Sequence, residues 1–487
     1  MTARISSWVI FLYLGTGITV LINTVISSNN FSFGHVQFGI LILMLVNCLG
    51  ISHANRNCIG LAIFYALTSY IFIFTRIATL SFVPEEARLF GEEQYHIQYT
   101  SMEIAYTIYY IAGFSFFFYL GLVPFKKTRF EITSTEIIKK LTVKHFKKIL
   151  FIGLMPVIFV IFSYSMLAVG RGGSTSVLYA ITSWALNIDI FGIVTIGLVV
   201  LVWAEIKTGK KMLFIIWLCV FVLGGMLTGG KGAIYTLALC LLMVLLVRGD
   251  FLLRVTIFRL CFFVLLGFSG GIIYVVADGI RYAGFALSGV EVPIFKLAFL
   301  GLDYISLDTF MLAISSIGRR LSHFEYMVMI VNNTGVFQRE LINFVQSCQV
   351  YINFLFLGSP FPNETIYSAQ LFKVAYYGYP IELALWRGGH SDYIPFAGVG
   401  FLLFGPFFSL IYALACGIFF RMIYCYLCLK KFKYSYFYIL CFWFIFNTLV
   451  NDSFGLDHFL QKSTIYLFSL LTFILCFKLV TSRFKLA

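Results

Sequence analysis

The sequence predicts an all-α polytopic membrane protein with about twelve transmembrane helices and one large loop late in the chain. Three observations predict it. Sixty per cent of the 487 residues are apolar and only 11% are charged, against about 25% charged in soluble domains. The apolar residues gather in runs close to the roughly 20 residues that a helical crossing needs. The cations sit in the short gaps between those runs, as they do in proteins oriented by positive cytoplasmic loops. In a soluble chain a formal charge of +14 would point to nucleic acid. Here it orients spans, and no nucleic-acid partner is expected.

The spans fall near 8–26, 36–51, 59–80, 103–123, 149–169, 183–203, 213–228, 232–247, 257–276, 396–424, 434–450 and 464–480. The first run has no small-residue cleavage site after it and reads as a retained anchor. The seventh and eighth are joined only by Gly229, Gly230 and Lys231, which makes a tight helical hairpin. The loop after the fourth span carries Lys126, Lys127, Arg129, Lys139, Lys140, Lys144, Lys147 and Lys148 against Glu131 and Glu136. That excess of cations puts it in the cytoplasm. Alternation then places both termini inside, together with Arg56, the 207–211 and 248–259 clusters and Lys430, Lys431 and Lys433. Segment 81–102, with Glu85, Glu86, Glu92 and Glu93, falls outside.

The chain divides into spans one to nine (1–276), a large external loop (277–395) and spans ten to twelve (396–487). Structureless loops longer than about 15 residues are uncommon in compact domains, so the external loop should have its own structure. Apolar residues recur with helical spacing around Lys296–Ile317 and Phe337–Phe356, among too many polar groups for a span. They predict amphipathic helices on the membrane surface or against the bundle. Among the eleven cysteines there is no zinc-type pairing and no disulfide framework. The lone Cys425/Cys428 pair sits at a helix end, where thiols act as small apolar groups. No metal and no cofactor is expected.

Charged groups at membrane depth are expensive and face cavities or partners. Lys231 stands in the turn Thr228-Gly229-Gly230-Lys231-Gly232, where glycines admit a ligand close to backbone N–H groups. The following helix N-terminus adds partial positive charge, and the pair suits a phosphate. The same residues also fit a plain turn with a snorkelling lysine. Arg281, just beyond span nine, can hold a diphosphate through paired hydrogen bonds, or can anchor the interface with Tyr282. Arg171, in Gly170-Arg171-Gly172-Gly173, is a third cation on that side. Arg76, in the outer part of span three, needs an ion-pair partner or an anionic ligand. His390, in Gly388-Gly389-His390-Ser391-Asp392, closes the large loop. Imidazole titrates near neutrality, which suits a general base. Asp308, Asp189 and Asp452 are alternative carboxylate bases. Arg319 and Arg320 suit an acidic sugar or a solvated face.

These features resemble the Wzy-type polymerases of bacterial surface polysaccharides, in the O-antigen and enterobacterial-common-antigen branch. The likeness rests on many spans, one late external loop and four short motifs. These are Thr228-Gly229-Gly230-Lys231-Gly232-Ala233, Ile280-Arg281-Tyr282, Asp308-Thr309-Phe310 and His390-Ser391. It covers roughly residues 220 to 460. The turn departs from the family in carrying Lys231 where Arg is frequent, which removes bidentate geometry there.

The resemblance implies a GT-C-like fold in the bacterial inner membrane, with the active site facing the periplasm. It implies a metal-independent glycosyltransferase acting on undecaprenyl-diphosphate-linked oligosaccharide. The growing glycan passes to the non-reducing end of another lipid-linked repeat unit. Lys231, Arg281 and Arg171 would bind the diphosphate. His390 would be the base, with Arg281 and Asp308 also at the catalytic centre. Membrane lipid and a chain-length-regulating protein are the expected partners. An O-antigen ligase with a lipid A core acceptor is the nearest alternative. Loss of a ligase would leave no repeat on the core, whereas loss of a polymerase would leave one. A flippase for the same lipid is the alternative from another class, but it calls for two similar halves, and no internal repeat is visible.

Overall fold

The computed structural model describes residues 2–26, 34–54, 58–82, 100–123, 324–332 and 395–429. It also describes residues 215–219 and 254–257 and isolated positions between 212 and 478. Almost all of them are helical. Among the described residues, five helical segments are long and apolar enough to cross a membrane: Ile5–Ile22, Gly34–His53, Ile59–Ala78, Ser101–Leu122 and Phe404–Tyr424. They match the first four expected spans and most of the tenth. The described residues therefore fit a predominantly helical membrane protein. The remaining seven expected spans lie outside the described residues apart from short or single helical positions.

Helix α1 (Ile5–Ile26) leads to α2 (Gly34–His53). Helix α3 (Ile59–Ser69) continues through a π turn (Tyr70–Phe74) into α4 (Thr75–Phe82). Helix α5 (Ser101–Leu122) starts on a capping box. The Thr100 N–H donates to Glu103 Oε2 at 2.7 Å, and the Glu103 N–H donates back to Thr100 Oγ1 at 3.3 Å. This satisfies donors that have no partner inside the helix.

Side-chain contacts fix the helix directions. The Tyr13 hydroxyl donates to the Ala66 carbonyl at 2.6 Å, and Thr16 Oγ1 lies 2.8 Å from the Tyr70 hydroxyl, so α1 and α3 run side by side in one direction. The Tyr109 hydroxyl donates to the His35 carbonyl at 2.8 Å, and the Tyr119 hydroxyl donates to Asn47 Oδ1 at 2.8 Å. Helices α2 and α5 are thus also parallel to each other. Tyr65, in α3, meets the last two turns of α5: its ring stacks on Phe118 at 4.2 Å and its hydroxyl is 3.0 Å from Ser115 Oγ. The buried hydroxyls of Tyr13, Tyr65 and Tyr119 each find a partner inside the bundle, as a water-free interior requires. The fully buried rings of Phe64, Phe74, Phe114 and Phe118 fill the centre. Aromatic pairs of this kind contribute about 0.5–1.5 kcal/mol each beyond their burial.

Helix α6 (Phe324–Asn332) falls within the expected large loop, and α7 (Phe396–Leu429) follows it. Helix α7 corrects the expected tenth span. It is two helices. At Gly405 the backbone turns to φ 72° and ψ −177°, and Pro406 comes next. Phe396 and Phe420 would stand about 36 Å apart on one continuous helix, yet their ring centroids are 6.1 Å apart. The first arm, Phe396 to Phe404, folds back along the second. Phe396 packs on Phe114 at 5.2 Å and Phe118 at 6.0 Å, and Phe401 packs on Tyr110 at 4.8 Å, so this arm runs against α5. The second arm runs with α5, and Gly121 and Gly417 bring the two backbones into contact. The first arm is therefore folded back antiparallel to the second, which sets Phe396, at its start, against Phe114 and Phe118 of α5.

Helix α6 falls between the two expected amphipathic stretches, which lie outside the described residues apart from isolated positions, and its Phe324, Met327, Val328, Met329 and Ile330 are all buried. It packs against α5 and α7. Finally, Thr2–Arg4 (β1) pairs antiparallel with Arg254–Thr256 (β2), Thr2 opposite Thr256. That pairing brings the start of the chain beside Arg254–Thr256.

Candidate functional site

Among the described residues, the site with chemical potential is built around Arg76. Its helix begins as an ordinary apolar span. The π turn at Tyr70–Phe74 then inserts an extra residue, which rotates α4 by roughly 100° relative to a regular α-helix. Arg76 emerges one residue after Thr75 on the rotated face. Its Nε donates to Glu325 Oε1 at 2.5 Å. The two side chains are 14% and 4% exposed. An arginine in this setting without a partner would be strongly unfavourable, and the paired carboxylate offsets that cost.

Glu325 stands in the first turn of α6. At the other end of that helix, Asn332 Nδ2 donates to the Val328 carbonyl at 2.8 Å and reaches Thr107 Oγ1 at 3.5 Å. Thr107 lies about two turns from the start of α5. The ion pair, Asn332 and the turn at Gly405 therefore share one end of the bundle. At the opposite end, Arg421 Nη1 donates to the carbonyl of Val123, the last residue before the basic 124–148 segment. A cation there complements the negative end of α5.

Sequence reasoning placed Arg76 at membrane depth and required a counter-ion or an anion for it. It missed Glu325. The available signal was a single carboxylate within the apolar run Phe324-Glu325-Tyr326-Met327-Val328-Met329-Ile330-Val331. Lys231, Arg281, Arg171, Asp308 and His390 lie outside the described residues, as do Asp189, Asp452, Arg319 and Arg320. Among the described residues no three metal-ligating side chains converge.

No family model, no curated protein and no solved structure matches the chain.

Proposed function

We propose that this protein is a metal-independent membrane glycosyltransferase that polymerises lipid-linked oligosaccharide repeat units at the periplasmic face of the bacterial inner membrane. The observation that carries the reading is the position of the late loop. It sends α6 into the bundle at the end opposite Val123, and the folded-back arm that starts at Phe396 packs along α5. A loop folded into the bundle in this way suits a substrate held at membrane level better than a separate soluble domain would. The Wzy-type resemblance of the four motifs supplies the chemistry.

In this reading the acceptor hydroxyl oxygen attacks the anomeric carbon of the donor glycan. The bond from that carbon to the diphosphate oxygen breaks as the new glycosidic bond forms. His390 takes the hydroxyl proton, with Asp308 as the alternative carboxylate base. The departing undecaprenyl diphosphate gains negative charge, which Lys231, Arg281 and Arg171 neutralise. The activated sugar–diphosphate bond drives the transfer, so no nucleotide is needed. Both termini would be cytoplasmic and the fold would be GT-C-like with twelve spans.

The test uses purified protein with lipid-linked repeat units and neither nucleotide nor added metal. The expected product is a ladder of lengthened glycans. Absence of the ladder, or an undiminished ladder from Arg281→Ala, overturns the proposal.

A further inference from the structure

The Arg76–Glu325 pair uses one edge of the guanidinium. Arginine carries five N–H donors, one on Nε and four on the terminal nitrogens. Glu325 takes the Nε donor. Among the described residues Nη1 and Nη2 make no hydrogen bond, and the arginine side chain is 14% exposed. The arginine is thus gripped at its base, and its planar fork of terminal donors is left unengaged by the described residues. A purely structural pair in this setting would be expected to engage the fork on both sides, because unsatisfied donors in an apolar bundle are costly.

We infer that Arg76 is an anion-binding residue whose terminal nitrogens receive a phosphate-class oxyanion at the α6 end of the bundle. The fork geometry matches two oxygens of one phosphate, which a lysine would not reproduce. Glu325 acts as a positioning residue. It fixes the rotamer and reduces the local positive charge, so that a bound anion can also be released. If the polymerase reading holds, the anion is the diphosphate of the lipid-linked substrate or product, and Arg76 adds to the cations already proposed for it. The inference about phosphate chemistry rests on the pair's geometry; only the identity of the lipid rests on that reading.

The test uses the full chain in lipid nanodiscs. Two probes are titrated: inorganic diphosphate in solution, and undecaprenyl diphosphate incorporated in the disc. Three proteins are compared: wild type, Arg76→Lys, and the double variant Arg76→Met/Glu325→Met. The double variant replaces the pair with apolar groups of similar size, a change that commonly preserves folding, and its thermal unfolding is recorded alongside. The expected result is binding by wild type that weakens about tenfold or more in both variants while the double variant stays folded. Arg76-dependent binding in either arm supports the inference, and the arm in which it occurs tells whether the anion is taken on a lipid or free. Equal binding by wild type and a folded double variant overturns it, and so does absence of binding by wild type in both arms. The glycan-ladder assay on the same preparations separates the two proposals. A wild type that binds through Arg76 but builds no ladder removes the polymerase reading and leaves this inference standing. A ladder-forming wild type whose double variant binds diphosphate undiminished does the reverse.

Discussion

The rings of Phe396 and Phe420 meet at 6.1 Å, although they belong to what hydropathy alone reads as a single apolar helix. Gly405 makes this possible. Its φ of 72° and ψ of −177° fall in a region that is essentially restricted to glycine, at a cost of about 1–3 kcal/mol for other residues. Gly405→Ala should therefore lower stability by that amount, read as a fall in the unfolding midpoint in detergent. Spin labels at Gly400 and Tyr412 provide a geometric check. A continuous helix would separate their backbones by about 18 Å, whereas the folded-back arms set the Tyr412 ring against Gly400. A distance near the longer value would remove the hairpin.

Gly121 and Gly417 form the second expectation. A Cβ on Gly121 would lie 2.5 Å from the Leu414 carbonyl oxygen and 2.8 Å from the Ile418 nitrogen. Backbone atoms cannot give way as a flexible side chain can. Gly121→Ala and Gly417→Ala should each destabilise by about 1–3 kcal/mol through overpacking. Gly15 is the control. A Cβ there would meet nothing within 4 Å, so Gly15→Ala should be neutral or stabilise by up to about 1 kcal/mol. Equal effects at the three sites would contradict the close approach of α5 and α7.

Asn47 and Tyr119 predict a non-additive pair. Asn47 donates to the Leu43 carbonyl at 2.8 Å and accepts from the Tyr119 hydroxyl at 2.8 Å, and Asn47 is fully buried. Tyr119→Phe leaves its carboxamide oxygen unmatched and should destabilise by about 1 kcal/mol, the scale of interhelical hydrogen bonds in membranes. Adding Asn47→Leu should recover most of the loss. A double-mutant cycle of unfolding free energies measures the coupling, and strict additivity would show that the bond carries no weight.

The β1–β2 pairing yields an orientation test. Thr2 and Thr256 are register partners, so their backbones lie within about 5.5 Å. Cysteines at these two positions, in a background with the native cysteines replaced, should crosslink with a short reagent. An impermeant thiol label should reach both from the same side of the membrane. Labelling from opposite sides would rule out an even number of crossings between them.

Much of the first four spans was legible because twenty-residue apolar runs have few alternatives in a chain of this composition. The start of α5 was readable too, since Thr100 and Glu103 have the capping-box spacing. The break in α7 was signalled locally by Gly405-Pro406, but both arms are equally apolar, and hydropathy averages over the turn. The insertion of α6 was not legible. Nine residues are too few for a span, and the burial of Phe324–Asn332 depends on surfaces of α5 and α7 that the local sequence does not encode. Arg76 announced its need for a partner, yet nothing in its neighbourhood named Glu325. The expected catalytic set fell on chain segments outside those described, so its spatial convergence rests on the sequence pattern.

The partners of the Arg76–Glu325 pair are separated by 249 residues of chain. At about 5–20 residues per second of synthesis, Arg76 is inserted roughly 12–50 seconds before its counter-ion exists. Through that interval the guanidinium can be accommodated by reaching toward the headgroups, as long basic side chains do near helix ends. Seating of α6 is therefore a late event in biogenesis, and the nascent bundle passes through a stage in which its Arg76 end is still open.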